Sequence, residues 1–304
     1  MSDFQVHILG CGSALPTAVH YPTSQVVELR DKLFMIDCGE GAQRQFRLQH
    51  LDFGRLVAIF ISHLHGDHCF GLPGLLSSLG LLGRRRAMPI YGPRGLDAFL
   101  LPFIEQNKQY LGYEIEIHIL DEGLPQLAYE DRSVSVTTLP LKHGVPCVGY
   151  LIREKVTERH IDRASCDFYE VPRTFYPFLR DGRDFVTSEG EVVPNDRLTR
   201  LGRSARSYAY CSDTAYAPHL IPLVQSVDLL YHEATFLNTL RARAKETNHS
   251  TAEEAALIAC KANVGQLLIG HYSARYNDSR PLLREAQAIF PKTLAADEGM
   301  VVTL

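Results

Sequence analysis

A chain of 304 residues, 45% hydrophobic and 22% charged, can bury one large core or two small ones and has the composition of an ordinary globular protein. Its formal net charge of -4 rules out bulk basicity as a sign of a nucleic-acid partner, so any such partner must be met by local clusters. Seven cysteines, at 11, 38, 69, 147, 166, 211 and 260 and without a C-x-x-C pair, argue against a disulfide framework or a cysteine zinc knuckle and suit a reducing cytoplasm.

The opening MSDFQVHILG lacks the basic segment, long apolar run and small-residue cleavage site of a signal peptide. No apolar stretch reaches membrane-spanning length, so no membrane association is expected. FQVHIL, SQVVELR, KLFMID and VAIFIS read as strands, with GAQRQFRLQH and LPGLLSSLGLL as helices around them. PIYG follows as a strand and RGLDAFLLPFIEQN as a helix. The strands YEIEIHIL, PQLAYE, SVSVTTLPL and CVGYLI come next.

From about 153 to 206 the pattern changes. Arg, Asp, Gly and Pro dominate, aromatics look exposed in CDFYEVPRTFYPFLRDGRDF, and periodicity is poor. The segment reads as a protruding arm or insertion on a single domain spanning 1–304, with enough aromatic content to argue against disorder. Regular structure returns in SYAYCSD and VDLLYHEA (strands). STAEEAALIACKAN is a helix capped by Ser250 or Thr251, with Glu253 and Glu254 in its first turn. QLLIGHYS (strand), a helix through PLLREAQAIF and a strand pair around ADEGMVVTL end the chain. Strands and helices interleaved in this way predict an α/β fold of sheets flanked by helices.

The stretch SHLHGDHCFG, residues 62–71, gathers His63, His65, Asp67 and His68 directly after an apolar strand. Residues two apart on an extended loop point the same way, so His63 and His65 can share one ion. Gly66 lets Asp67 and His68 turn toward a second. Imidazoles with carboxylates suit Zn²⁺ or a similar borderline metal rather than calcium. One loop cannot complete two coordination shells. His143 after VSVTTLPLK, Asp213 after YAYCS and His271 after QLLIG each stand at the exit of an apolar run, where further ligands are expected.

H-x-H-x-D-H followed by a distant His, an Asp and a final His resembles the metallo-β-lactamase superfamily. LGCGSALPT, MIDCGEGAQRQ, SHLHGDHCFGLPGLL, CSDT, HEATF (232–236), HST (249–251) and HYSARY (271–276) resemble one branch of it, RNase Z, the tRNA 3′-processing endoribonuclease, in its short form. The resemblance implies an αββα sandwich of two mixed sheets flanked by helices. It implies two Zn²⁺ per subunit, or Mn²⁺ or a similar ion in their place. His63, His65 and His143 would hold one, Asp67, His68 and His271 the other, and Asp213 would bridge them. A metal-bridged hydroxide would attack the phosphodiester, with Asp67 orienting or deprotonating the water.

Asp37 in IDCGEG is expected to position a ligating imidazole through a hydrogen bond, a reading compatible with a turn before Gly39. His249 and the pair His232–Glu233 are candidates to protonate the leaving ribose oxygen. Arg275 is a candidate phosphate contact. In the arm, Arg173, Arg180 and Arg183 interleave with Phe175, Tyr176 and Phe178. Further basic runs lie at Arg84–Arg86, at Arg197, Arg200, Arg203 and Arg206, and at Arg241, Arg243 and Lys245. The arm stands where RNase Z carries its tRNA-gripping arm, yet it reads YEVPRTFYPFLRDGRDF and lacks that family's Gly-Pro element with neighbouring lysines.

The expected activity is removal of the 3′ trailer from precursor tRNA, leaving a tRNA 3′-hydroxyl and a trailer 5′-phosphate. By the same resemblance the protein would be a cytoplasmic homodimer. The alternatives are another dinuclear-zinc hydrolase, acting on a small phosphodiester, a thioester or a sulfate ester, and a non-catalytic RNA-binding module.

Overall fold

The computed structural model describes residues 4–155, 159–202 and 204–304, so Arg203 and the middle of the 153–206 segment's start (156–158) lie outside the described residues. The described chain divides into two compact units. The larger takes in Met1–Asp131, Ser135–Ile152 and Arg206–Leu304; the smaller takes in Arg132–Val134 and Arg153–Ala205.

The larger unit is built on two seven-stranded mixed sheets. In the first, the spatial order is Val301–Thr303, Phe4–Gly10, Ser24–Leu29, Lys32–Ile36, Leu56–Phe60, Met88–Pro93, Ile115–Leu120. Pairing is antiparallel up to Lys32–Ile36 and parallel beyond it. The second runs Thr293–Ala295, Gln266–Gly270, Leu229–Glu233, Ser207–Cys211, Val148–Glu154, Val134–Pro140, Leu127–Glu130, its first four strands mutually parallel. Central parallel strands are covered on both faces, which is why LVAIF, SYAYC and LLYHE are buried at every position. The edge strand Ile115–Leu120 is exposed at Glu116, His118 and Ile119 instead.

Tyrosines lock one sheet to the other. Tyr150 donates its hydroxyl to the Ile61 carbonyl (2.6 Å), Tyr208 bonds to Gln25, and Tyr210 donates to Asp37 Oδ2 (2.7 Å). All three rings are fully buried, so each hydroxyl needs such a partner; an unpaired one would cost about 1 to 3 kcal/mol. The helix Ala252–Lys261 starts at Thr251, whose side chain accepts from Glu254 N–H while Glu254 reaches back to the Thr251 N–H. Its small residues Ala252, Ala255, Ala256 and Ala259 are buried, allowing close approach to the sheet.

The strands at the C-terminus depart from the expectation that they pair with each other. Thr293–Ala295 pairs with Gln266–Gly270 in the second sheet, and Val301–Thr303 pairs with Phe4–Gly10 in the first. The chain crosses between sheets through Gly299, whose φ of 86° is a backbone state that favours glycine. Sequence patterning reports strands but not their partners.

The smaller unit has its own core of Cys166, Val171, Leu179, Val193 and Leu198, with Tyr169, Phe175, Tyr176 and Phe185 packed against it. Its helices, Arg163–Phe168, Tyr176–Arg180 and Asn195–Leu198, have six, five and four residues. Elements that short complete too few turns to leave a periodic signal, which explains the poor periodicity of this stretch. Among the described residues no helix is long and apolar enough to cross a membrane.

Candidate active site

Strands of both sheets end at one rim, and the expected site residues stand just beyond those ends. Lys32–Ile36 is followed by Asp37, Leu56–Phe60 by Ser62 and His63, and Val134–Pro140 by His143. Ser207–Cys211 is followed by Asp213 and Gln266–Gly270 by His271. Asp37 and His271 both adopt left-handed backbone conformations, at φ 55° and 61°. Such conformations are uncommon outside glycine and each carries local strain.

Two groups of ligand atoms converge there. In the first, His63 Nε2 lies 3.0 Å from His65 Nδ1, and His143 Nε2 lies 3.3 Å from the same nitrogen. Asp213 Oδ2 is 3.5 Å from His63 Nε2 and 3.8 Å from His143 Nε2. In the second, His68 Nε2 and His271 Nε2 face each other at 3.2 Å, with Asp67 Oδ2 at 3.5 and 3.4 Å from them. Asp213 Oδ1 is 3.1 Å from His271 Nε2 and 3.4 Å from His68 Nε2. Asp213 thus presents one oxygen to each group.

The tautomers of these imidazoles are set from behind. His143 Nδ1 lies 3.0 Å from the Asn248 carbonyl, which can only accept, so Nδ1 carries the hydrogen and Nε2 a lone pair. His68 Nδ1 is held by Asp37 Oδ2 at 2.8 Å, and His271 Nδ1 by Thr235 Oγ1 at 2.9 Å. Asp37 is itself fixed by the Ser62 N–H (2.7 Å), the Ser62 hydroxyl (2.8 Å) and Tyr210. Asp67 Oδ2 accepts the Ala14 N–H at 2.6 Å. None of Ser62, Thr235, Asn248 or the Ala14 N–H was singled out by sequence patterning. HEATF and HST mark the segments of Thr235 and Asn248, but nothing in the sequence says that a hydroxyl or a carbonyl there orients an imidazole.

These residues fit a divalent cation. Lone pairs aimed at one another across about 3 Å repel unless something positive lies between them. Asp213 Oδ1, fully enclosed, has no hydrogen-bond partner. Burial holds the His63, His65 and His143 imidazoles below their ordinary pKa, in the neutral form that ligates metal. Burial also opposes charge on His68, but the carboxylates of Asp213, Asp67 and Asp37 outweigh it and push its pKa well up, which marks a surplus of negative charge. A nitrogen-rich donor set with carboxylates matches zinc or manganese better than calcium.

Beside the second group stands Glu233, fully buried. Its Oε1 accepts from Thr214 N–H (3.1 Å), Ser250 N–H (3.0 Å) and His249 Nδ1 (2.8 Å), and its Oε2 from the Thr235 N–H (3.0 Å) and hydroxyl (2.7 Å). The His249 ring stacks on His271 with centroids 5.4 Å apart. Burial alone would lower the His249 pKa, but the Glu233 charge and hydrogen bond raise it to about 9. His232 differs. It is fully buried on the opposite face of the strand from Glu233, with Nδ1 2.7 Å from the Glu233 carbonyl and Nε2 lacking a partner.

The Arg275 guanidinium lies over the Phe236 ring at 5.1 Å, and that ring meets His249 edge-on. Next to His249 opens a cavity of about 440 Å³ whose wall includes Lys142, Tyr216, Arg241 and Lys245. Lys142 and Tyr216 were not distinguished by sequence patterning. A second cavity, of about 330 Å³, takes in Asp67, Ala14, Leu15, Glu40 and Phe70. Arg173, Arg180 and Arg183 belong to the smaller unit, where all three are exposed and Arg183 lies over the Phe178 ring at 5.1 Å.

Comparison with known proteins gives the fold its family. Residues 4–100 match a family described as Anti-Pycsar protein Apyc1. Among solved structures, the human short-form tRNase Z superposes with a TM-score of 0.70 at 25% identity, covering 98% of both chains. The metallo-beta-lactamase fold protein YhfI from Bacillus subtilis superposes with a TM-score of 0.69 at 20% identity over the full length of both, a likeness of fold alone. The two mixed sheets flanked by helices are therefore a metallo-β-lactamase-like sandwich. A ribonuclease Z of Porphyromonas gingivalis is 56% identical over 304 residues, all of both chains. At that identity over its whole length, this chain belongs to the ribonuclease Z family.

Proposed function

We propose that the protein is a cytoplasmic, zinc-dependent endoribonuclease that removes the 3′ trailer from precursor tRNA, leaving a 3′-hydroxyl on the tRNA and a 5′-phosphate on the trailer. The observation that carries this reading is the pair of ligand groups sharing Asp213, with His249 held by Glu233 alongside, in a chain 56% identical to a ribonuclease Z. His63, His65, His143 and Asp213 would hold one Zn²⁺, and Asp67, His68, His271 and Asp213 a second, with Mn²⁺ able to replace either. Bound there, such ions supply a water made acidic enough to attack at neutral pH and positive charge for the phosphate oxygens.

The chain's own residues do the rest. Asp67 is pinned through Oδ2 by the Ala14 N–H and keeps its second oxygen for the proton of the attacking water. Its carboxyl stays ionised: burial opposes the charge, but His68 and His271 hold its pKa far below the usual range. His249, fixed at Nδ1 by Glu233, offers Nε2–H to the ribose 3′-oxygen that leaves. Glu233 serves by keeping that imidazole charged and aimed. Lys142, Arg241, Lys245 and Arg275 supply positive potential for the flanking phosphates. The smaller unit, with Arg173, Arg180 and Arg183 among aromatic rings, is the docking arm for the tRNA body, and the working form is a homodimer.

The test is cleavage of one precursor tRNA by the metal-loaded protein, with end mapping of both products. A single cut next to the discriminator base, leaving the stated ends, is expected. An intact precursor alongside ready hydrolysis of a small phosphodiester would overturn the tRNA assignment and favour a small-substrate diesterase.

A further inference from the structure

A third convergence of ligand atoms lies outside the site described above and has no part in its chemistry. Cys11 follows the first strand, His20 lies on the loop after it, and Glu298 comes from the segment that crosses between sheets. Cys11 Sγ is 3.3 Å from His20 Nδ1 and 3.6 Å from Glu298 Oε1, and His20 Nδ1 is 2.9 Å from Glu298 Oε2. We propose that Cys11, His20 and Glu298 form a separate, structural metal site for zinc or a similarly thiophilic divalent ion.

Metal–ligand bonds of about 2.0 to 2.3 Å at tetrahedral angles set ligand atoms about 3.3 to 3.7 Å apart. The Sγ–Nδ1 and Sγ–Oε1 separations of 3.3 and 3.6 Å match those values, while Nδ1 stands closer, at 2.9 Å, to the other carboxylate oxygen, Oε2. The first two also resemble the edges of the two active-site groups, which run from 3.0 to 3.8 Å. The donor chemistry is distinct, since the active-site groups contain only imidazole and carboxylate whereas this one adds a thiol. Cys11 is fully buried, yet its sulfur faces an imidazole and a carboxylate rather than hydrocarbon. The side chains of His20 and Glu298 keep 11% and 12% exposure, so solvent reaches the edge of the cluster.

The site is prepared in advance. Glu298 Oε1 accepts the backbone N–H groups of Tyr21 (2.8 Å) and Cys11 (3.3 Å), which fixes the carboxylate without using Oε2. Loading a divalent ion would release the Cys11 thiol proton and require His20 Nδ1 to give up the hydrogen it directs at Glu298, to solvent or to its own Nε2, so uptake is accompanied by proton release. The ion would tie two segments together, the loop after the first strand and the crossing segment, and Tyr272 bonds to both. That loop donates Ala14 N–H to Asp67, while Ser13 N–H bonds to the Tyr272 carbonyl and Tyr272 N–H to that of Cys11, at 3.0 Å each. Such an ion would brace the backbone donor that fixes Asp67 without contacting substrate.

Cobalt substitution separates this site from the active site, because only a thiolate ligand gives a sulfur-to-cobalt charge-transfer band in the near ultraviolet. Cys260, the one exposed cysteine, is changed to Ser beforehand to remove surface binding. The Co²⁺-loaded protein should show the band, and Cys11→Ser should lose it together with one equivalent of metal per chain. His20→Gln, which keeps the thiol, should weaken or shift the band. Absence of the band before any change at Cys11, or a band and metal content unaltered by Cys11→Ser, would overturn the proposal. Both readouts are independent of catalysis, so they stand whatever substrate the active site takes.

Discussion

The rim of the two large sheets and the smaller unit at Arg132–Val134 and Arg153–Ala205 solve opposite problems. At the rim, polar side chains are buried and each is held by others: Asp37 by Ser62 and Tyr210, Glu233 by Thr214, Thr235 and Ser250. In the smaller unit the core is built on five buried residues and the arginines singled out for RNA lie outside it, exposed. A buried network fixes atoms to a few tenths of an ångström, which chemistry requires. An exposed array of cations supplies attraction that tolerates movement, as a contact to a large polyanion would.

If that division is right, changes at the rim should strike turnover and changes in the smaller unit should strike substrate capture. Asp67→Ala should have the largest effect, lowering single-turnover cleavage by about a thousandfold or more while filter binding of the precursor stays within a few fold. Removing His249 as His249→Gln should cost about 10² to 10⁴ in rate on tRNA. It should cost far less on a small diester whose leaving group is already acidic, and an equal loss on both would remove the general-acid role.

Deleting about residues 160–195 should raise KM for tRNA by about tenfold or more while leaving hydrolysis of a chromogenic diester nearly intact. Equal losses on the two substrates would erase the distinction between the regions. Thr235→Val keeps the shape but strips the hydroxyl that links Glu233 to His271. It should lower metal affinity or activity about 10- to 100-fold, measurable by competition with a chelator.

The smallest effect belongs to a pair in neither region and sets the baseline. Partial burial would raise the Glu28 pKa, but Arg55 and His7 outweigh it and hold the carboxyl below its ordinary value. A depressed carboxyl contributes stability above its unfolded pKa and loses it as pH falls through the folded one. Glu28→Gln should therefore lower Tm by about 1 to 3 °C at neutral pH, with the gap closing on acidification and with turnover unchanged. A gap that widened toward acid would contradict the assignment.

What the sequence determined by itself was local. Apolar runs such as LVAIF and QLLIG announced their strands, and the polar residues just past them announced a rim. H-x-H-x-D-H announced donor atoms at metal-binding spacing. Tertiary structure decided what spacing along the chain cannot encode. Asp213 divides its two oxygens between groups whose other members come from six other positions, at 63, 65, 143, 67, 68 and 271. His232 and Glu233 are neighbours in sequence but face opposite sides of one strand, so only Glu233 meets His249. The last two strands, eight residues apart at their starts, join different sheets. Cys11 and Glu298 are 287 residues apart and meet because the last strand pairs with the first. Donor type and strand character are properties of a few consecutive residues. Which donors share a point in space is set by the packing of whole sheets, and no local pattern carries it.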